Sequence, residues 1–242
     1  MTDVESAAVS IITRAVKLDS GKRYTEALVC YQEGLELLMK AMKGSNCALK
    51  KAKLREKVEG FMDRAEKLKN YVEQEKEKGS YHEQIVIEND STGHSYQNLI
   101  GRFLDEEISQ VSVEDPYIRS FHQCENFVKL CELLVKTCPN LRKVRLITSS
   151  DRGAKDQASS LDMTKTSLKK YNVDLEVDFS DTLHDRQIRL SNGWVIKIGR
   201  GLDYFKPPDG RCALGYFDMD LRPCKETVVD VFHVKDVKLS YG

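Results

Sequence analysis

The chain has 242 residues, which is enough for one large domain or two small ones. Its 38 Lys and Arg residues balance 38 Asp and Glu residues, so net charge draws it neither to nucleic acid nor to an anionic membrane. Binding to either would need a local basic patch. With 40% hydrophobic and 31% charged residues, the composition is typical of a soluble globular protein with exposed helices.

The seven cysteines form no CxxC pair. Cys124, Cys131 and Cys138 recur every seven residues, a spacing that places them on one face of a helix. We interpret them as small core residues rather than as a metal site. The N-terminus carries early acidic residues and no signal-type apolar core, and no stretch approaches the roughly 20 apolar residues of a membrane span. We therefore expect a cytoplasmic protein with reduced thiols and no metal or cofactor.

Three amphipathic segments open the chain. The first is ESAAVSIITRAVKLDS, the second is YTEALVCYQEGLELLMKAMKG, and the third runs from about Cys47 to Lys76. The second segment has one apolar stripe of large residues and another of mostly small ones, such as Ala27 and Gly34, so it packs against neighbours on two sides. Short connections favour antiparallel neighbours. Residues 1–78 are therefore predicted to form an all-α three-helix bundle.

The sequence pattern changes after the third helix. The polar stretch EQEKEKGSYHEQ predicts a short linker at residues 79–84. Beyond it, apolar runs such as LRKVRLITS and VDLEVDFS alternate with helical segments such as SFHQCENFVKLCELLVKTCP. Asn192-Gly193 predicts a hairpin turn, and TVVDVFHVKDVKLSYG contains a last strand. We therefore expect a multidomain chain in which an α/β domain over residues 85–242 follows the bundle.

Met62 lies one residue off the apolar stripe of the third helix. Its helical neighbours are charged: Arg55, Glu59, Glu66 and Lys69. An apolar, adaptable side chain framed by charges is one way to build a groove that binds a partner helix. From the residues alone, an incidental surface methionine is the favoured interpretation.

The stretches RY-x-EAL-x-x-Y-x-x-G and DRAEKLK resemble the MIT domain, a three-helix module of microtubule-interacting and trafficking proteins. The resemblance covers residues 1–78. It implies that the bundle binds short C-terminal helices of ESCRT-III subunits between its second and third helices. Met62 matches the apolar position that anchors the peptide, and Glu66 matches an acidic position that meets its basic residues. The predicted peptide-binding residues are Leu38, Arg55, Val58, Glu59, Met62 and Glu66.

The stretch LHDRQIRLSNGW resembles the His-x-Lys-x4-Asp motif of the phospholipase D superfamily. In that chemistry the His attacks phosphorus and the Lys neutralises a phosphoryl oxygen. Here His184 is kept, the Lys position is Arg186, the Asp position is Ser191, and Gly193 falls in the small-residue region. We predict that these four residues form a degenerate motif that accepts an anion without catalysis. The alternatives are a phosphodiesterase with His184 as nucleophile and an unrelated α/β fold.

An MIT module followed by a phospholipase D-like domain resembles adaptor proteins of cytokinetic abscission. That resemblance implies ESCRT-III partners, peripheral binding to endosomal membranes and at the midbody, and a homodimer formed by the C-terminal domain. The near-neutral C-terminal part predicts no nucleic-acid binding. Binding to anionic lipid would need local cations, although these could equally be ordinary solvated charges. The candidate membrane-binding residues are Lys165, Lys169, Lys170, Arg189, Lys197 and Arg200.

Overall fold

The computed structural model describes residues 3–150 and 155–234. It divides into two compact units, residues 1–83 and residues 84–242. The boundary differs from the sequence-based prediction of a linker at residues 79–84. Tyr81 is buried and the first strand already begins at His82, so only a short turn separates the last helix of the bundle from that strand.

The N-terminal unit is built from three helices, α1 (Asp3–Ser20), α2 (Tyr24–Gly44) and α3 (Ala48–Lys78). The helix α3 ends at Gly79, which adopts the left-handed conformation with φ of 69°. Two ion pairs join α1 to α3: Glu5 near the start of α1 pairs with Lys50 near the start of α3, and Asp19 near the end of α1 pairs with Arg64 in the middle of α3, so the two helices run parallel. The predicted three-helix bundle is confirmed.

The small-residue stripe of α2 packs against α1. A Cβ atom placed on Gly34 would come within 2.6 Å of the Cδ1 atom of Ile12, so glycine permits the close approach of the two backbones. The large-residue stripe of α2 packs against α3, where the rings of Tyr31 and Phe61 lie 6.1 Å apart. The helix α2 therefore occupies the central position that its two stripes predict.

The C-terminal unit contains a seven-stranded sheet with the order β1-β7-β6-β5-β2-β3-β4. Strands β2, β3 and β4 are parallel, whereas β5, β6 and β7 join as antiparallel neighbours. The strands are β1 (His82–Ile87), β2 (Gln110–Glu114), β3 (Lys143–Thr148), β4 (Asp174–Phe179), β5 (Gln187–Leu190), β6 (Trp194–Ile198) and β7 (Thr227–His233). The helices are α4 (Tyr96–Ile100), α5 (Phe121–Thr137) and α6 (Lys155–Lys169).

The sheet has an apolar face and a polar face. Along β2 and β3, Val111 and Val113 pair with Val144 and Leu146 on the apolar face. The successive crossovers β2-α5-β3 and β3-α6-β4 place both helices on this face, because such connections share one hand. A capping box starts α5, in which Ser120 and Gln123 exchange side-chain and backbone hydrogen bonds.

The three cysteines spaced by seven residues belong to the core. Cys124, Cys131 and Cys138 are buried, and burial raises the pKa of each thiol, to about 11 for Cys138. Among residues 3–150 and 155–234, no group of three or more potential metal ligands comes together. The prediction that these cysteines are core residues is confirmed. The end of the predicted last strand, residues 235–242, lies outside the described residues.

Candidate functional site

The side chain of Met62 is 51% exposed on α3. Lys50 and Arg64, which contact α1, lie on one flank of the core stripe of α3, and helical spacing places Met62 on the opposite flank. Met62 therefore borders the groove that opens between α3 and α2, away from α1.

Apolar side chains from both helices line this groove. Leu28 and Met39 of α2 are half-buried on the flank that faces away from α1, and Ala65 of α3 is half-buried one turn after Met62. The rings of Tyr31 and Phe61 pack below them. We call the surface formed by Leu28, Met39, Met62 and Ala65 the α2–α3 groove.

The structure corrects two of the predicted peptide-binding residues. Leu38 and Val58 are only 4% and 6% exposed and belong to the core cluster of the bundle, so their side chains support the groove but do not offer surface to a ligand. Their apolar spacing also fits core positions, which is the role they have. The remaining predicted residues, Arg55, Glu59, Met62 and Glu66, are exposed on α3.

The charges beside Met62 are solvent-accessible. Arg55 and Glu59 form an ion pair of 3.0 Å one turn apart, with side chains 75% and 64% exposed. Such a pair contributes little to stability in water, about 0.3–0.5 kcal/mol, so a ligand can replace either partner at small cost. Glu66 makes no ion pair within the described part of the chain.

His184 and Arg186 lie just before β5, at the carboxyl end of β2. His184 is exposed, and within the described residues no hydrogen bond or ion pair involves it. Arg186 is half-buried, with its guanidinium carbon 4.2 Å from the ring centre of Tyr117 and a 2.8 Å hydrogen bond from Nη1 to the carbonyl oxygen of Gly199. The cation is therefore already held by an aromatic ring and a carbonyl group.

The structure separates the other two residues of the predicted anion pocket from His184. Ser191 and Gly193 follow β5, so the four residues of that strand, at about 3.3 Å each, lie between them and His184. The hydroxyl oxygen of Ser191 accepts a 3.0 Å hydrogen bond from the backbone of Ser109. Gly193 adopts φ of 100° in the β5–β6 hairpin, as predicted from Asn192-Gly193. The prediction of one pocket from all four residues is wrong.

A buried carboxylate lies close to Arg186. Asp115 follows β2 and is 3% exposed, and its Oδ2 atom accepts a 2.9 Å hydrogen bond from the backbone of Leu202. Burial raises the pKa of Asp115, whereas hydrogen bonds from backbone amides and the charge of Arg186 lower it. A Cβ atom on Gly201 would collide with this carboxylate. The cavity beside the carboxylate measures about 10 Å³, which is too small for a substrate.

The predicted membrane-binding cations do not share one surface. Lys165 and Lys169 project from α6, which covers the apolar face of the sheet, and Lys170 directly follows that helix. Arg189 and Lys197 point to the opposite, polar face, because they pair with Ser112 and Gln187 in the register of β5. Arg189 also contacts the buried Glu114 at 3.3 Å, and Lys169 contacts Asp174 at 2.6 Å. The exposed cations that remain are Lys165, Lys170, Lys197 and Arg200.

A second group of cations meets at a cavity of about 590 Å³ that sequence reasoning did not identify. It joins Lys129 of α5 to Lys206, Arg222 and Lys225, which lie in or beside the segment between β6 and β7. No spacing pattern in the sequence predicts this group of cations, because its members come from distant parts of the chain. The wall of this space also carries the carboxylates of Glu125, Glu132 and Asp203. We call it the basic cavity after its four cations.

Comparisons with known proteins agree with both halves of this architecture. The family model of the MIT (microtubule interacting and transport) domain matches residues 5–70, and the model of a phospholipase D-like domain at the C-terminus of MIT proteins matches residues 93–233. The chain is 51% identical over 235 residues to mouse MIT domain-containing protein 1, covering 96% of this chain and 94% of the mouse protein. The chain belongs to this family of MIT proteins with a C-terminal phospholipase D-like domain.

The family assignment confirms the sequence-based recognition of an MIT domain and of a phospholipase D-like domain. Nuc from Salmonella typhimurium, a phospholipase D family member of solved structure, overlays on 63% of this chain and 84% of its own, with 10% identity and a TM-score of 0.37. At that score the overlay carries no weight, and the assignment rests on the family models and the mouse relative. No helix in the described ranges is long and apolar enough to cross a membrane.

Proposed function

We propose that this MIT family member is a noncatalytic adaptor in cytokinetic abscission. Its α2–α3 groove binds C-terminal helices of ESCRT-III subunits, and its phospholipase D-like domain binds anionic membranes peripherally as a homodimer. The observation that carries the proposal is the exposed Met62 on the α2 side of α3, next to half-buried apolar side chains.

The chemistry of the groove specifies its ligand. An apolar floor bordered by charged side chains fits an amphipathic helix that inserts apolar residues at helical spacing. Glu59 and Glu66 on the α3 side are exposed and would pair with basic residues of that helix. Met62 supplies an adaptable contact between the apolar and acidic parts.

The noncatalytic assignment is supported by the geometry around His184. A histidine nucleophile needs a group that orients it and a cation that is free to hold phosphate. His184 has no such partner among the described residues, and Arg186 is engaged by Tyr117 and Gly199. The residue at the Asp position, Ser191, lies at the far end of β5.

Membrane association draws on local cations and on dimerisation. Each exposed cation near an anionic surface contributes about 1 kcal/mol, so Lys165 and Lys170 in one copy bind weakly. A homodimer would present each such surface twice and gain by avidity. Dimerisation and the location at midbody and endosome are part of the same proposal.

The α2–α3 groove is tested by Met62→Asp in the full chain. The change places a carboxylate among apolar side chains and is expected to weaken binding of an ESCRT-III C-terminal helix peptide more than tenfold, measured by calorimetry. Leu49→Asp is the matched control, because Leu49 is 78% exposed on the same helix but on a different face. Unchanged affinity in a folded Met62→Asp protein would contradict the groove assignment.

A further inference from the structure

A long groove lies between α5 and α6 on the surface of the C-terminal domain. It encloses about 820 Å³, more than the basic cavity. Both helices connect parallel strands of the sheet, so they run in the same direction. The groove follows α5 from Phe121 to Lys136, which at 1.5 Å per residue is about 22 Å, or about four helical turns. We call it the α5–α6 groove.

Apolar side chains line the floor and both ends of the α5–α6 groove. Val128 and Val135 of α5 are half-buried along it, and Met163 of α6 is 61% exposed. Phe121, 58% exposed, lies at the end where the helices begin, and Tyr171, 62% exposed, lies at the other end. Single exposed apolar residues are ordinary, but a set that shares one concave surface indicates an interaction site.

The α6 wall of the groove is formed by small side chains with hydroxyl groups, those of Ser160, Thr164 and Ser167. The hydroxyl group of Thr164 donates a 2.8 Å hydrogen bond to the carbonyl oxygen of Ser160, one turn earlier in the same helix. Because this buried donor is satisfied within α6, a ligand can cover it without leaving a polar group unpaired. Small side chains also let the backbone of a ligand come close to α6.

The α5 wall of the groove carries four charges of alternating sign: Glu125, Lys129, Glu132 and Lys136. Their spacings of four, three and four residues place them in one row along the helix. Among residues 3–150 and 155–234, none of the four forms an ion pair, although each Glu precedes a Lys by four residues, the spacing that favours pairing. Lys129 donates only to the amide oxygen of Asn126, at 3.4 Å.

The environment of Lys129 favours a further carboxylate. Burial and the charge of Arg222 lower the pKa of Lys129, whereas Glu125 and Glu132 raise it. The two carboxylates therefore compensate only in part for the hydration that the ammonium group has lost. An acidic residue of a ligand would stabilise this charge, and basic residues beside it would pair with the exposed Glu125 and Glu132.

We propose that the α5–α6 groove binds an amphipathic helix of another protein, which lies antiparallel to α5 and pairs its charges with the row on α5. In this direction the helix dipole of the ligand opposes those of α5 and α6, which is the favourable arrangement. The charge order along the ligand is then Glu, Lys, Glu, Lys, so that each charge faces an opposite one. The inference goes beyond the proposed function, because it gives the C-terminal domain a protein ligand of its own.

A second copy of this chain fits the α5–α6 groove less well than a single helix does. The α5 helix of a second copy has the same charge order, but there it borders a groove of its own. Two concave surfaces that face each other enclose a void, and the atoms that line a void lose their packing contacts. A single helix is convex and fills the groove.

The test measures binding of two synthetic peptides to the full chain by fluorescence polarisation. Both are stapled helices of about four turns, with leucines along one face beside four charges. The first peptide has the charge order Glu, Lys, Glu, Lys, and the second has Glu, Glu, Lys, Lys at the same positions. In either direction the second peptide faces two like charges on α5. The wild-type chain is therefore expected to bind the first peptide about tenfold more tightly.

An exchange of two charges in the protein should reverse this preference. Lys129→Glu together with Glu132→Lys gives α5 the charge order Glu, Glu, Lys, Lys, which matches the second peptide in the antiparallel direction. We expect this variant to bind the second peptide about tenfold more tightly than the first. A gain of affinity for the second peptide cannot come from unfolding, so the result does not depend on unchanged stability.

Met163→Asp tests the apolar part of the groove and should weaken binding of both peptides by about tenfold or more. Leu214→Asp is the matched control, because Leu214 is 90% exposed in the same domain but does not line the groove. It should leave both affinities unchanged. Thermal unfolding, followed by the fluorescence of the only tryptophan, Trp194, shows whether each variant is folded.

The outcomes separate this inference from the proposed function. If neither peptide binds, or if both bind equally and the charge exchange changes nothing, the inference is wrong. If Met163→Asp lowers the mass of the chain in light scattering, the groove is an interface between two copies, and the inference fails while the proposed homodimer stands. The α2–α3 groove is tested separately by Met62→Asp, so either helix-binding site can fail without the other.

Discussion

The guanidinium group of Arg64 donates two hydrogen bonds, of 2.6 and 2.7 Å, to the carboxylate of Asp19 and thereby joins α3 to α1. The hydroxyl group of Tyr31 on α2 donates a third, of 3.1 Å, to the same carboxylate. The pKa of Asp19 is lowered chiefly by the hydrogen bond from Arg64. Burial, with Asp19 beside it, raises the pKa of Tyr31 to about 12. All three helices of the MIT domain therefore meet at one carboxylate.

Arg64→Ala should destabilise the bundle by about 1 kcal/mol at neutral pH, because the paired geometry is bidentate but Arg64 is half-exposed. The pKa of Asp19 is lower in the folded state, so its contribution is fully present above the unfolded value of 3.8 and is lost as pH falls through the folded value. Hydrogen exchange of the α1 amides, at neutral pH and below pH 4, measures the loss of stability that Arg64→Ala causes at each pH. Arg55→Ala should cause a smaller loss of stability at both pH values. A loss from Arg64→Ala that is the same at both pH values would contradict the role of Asp19 as its charged partner.

Gly34→Ala and Gly60→Ala should change stability in opposite directions. Both residues are helical, and alanine gains up to about 1 kcal/mol over glycine in a helix. Nothing lies within 4 Å of a Cβ atom on Gly60, whereas one on Gly34 meets the Cδ1 atom of Ile12 at 2.6 Å. We expect Gly60→Ala to stabilise the bundle, and Gly34→Ala to destabilise it by about 1 kcal/mol net of propensity. Thermal unfolding measures both, and a stabilising Gly34→Ala would show that α1 and α2 are not so close.

The bundle could be predicted from the sequence because every local signal agreed. The apolar stripes of α1, α2 and α3 have helical period, and the small stripe of α2 requires a second neighbour. The linker could not be placed, because the polar residues of EQEKEKGSYHEQ conceal the alternation of β1, in which His82 and Gln84 are exposed while Glu83 is buried. Hydrophobicity alone misses a strand whose buried positions include a carboxylate.

The candidate sites were predicted less well, since they depend on which ends of elements come together. The exposed position of Met62 on α3 could be predicted, because spacing along a helix fixes the direction of every side chain. Ser191 was misplaced because seven positions after His184 span a whole strand instead of returning to the same end of the sheet. The basic cavity was missed because tertiary packing alone brings Lys129 to Arg222.

The wild-type chain and His184→Ala should both hydrolyse the phosphodiester bis-p-nitrophenyl phosphate only at the background rate. The reason is that His184 has no orienting carboxylate in the described structure and Arg186 is engaged by Tyr117. His122→Ala is the informative companion, because the Nε2 atom of His122 lies 3.7 Å from Asp203. Turnover lost only in His184→Ala would make the protein an enzyme, and turnover lost only in His122→Ala would move catalysis to the basic cavity.

Arg189→Leu should destabilise the phospholipase D-like domain by about 3 kcal/mol, because it leaves the carboxylate of Glu114, 3% exposed, without its cation. Adding Glu114→Gln should restore most of that loss, since the 2.7 Å hydrogen bond from Gln187 can be kept by an amide oxygen. Urea unfolding followed by Trp194 fluorescence measures each variant.

Arg145→Leu is the control for Arg189→Leu. Arg145 pairs with Asp178 on the same face of the sheet, but the side chain of Asp178 is 47% exposed. The loss of stability should therefore be about 1 kcal/mol or less. Equal costs for the two arginines would show that Glu114 is not the buried charge that the structure describes. The same two variants test the prediction that Arg189 binds membrane. If Arg189→Leu weakened vesicle binding while leaving unfolding unchanged, Arg189 would face lipid as first predicted, and its contact with Glu114 would be incidental.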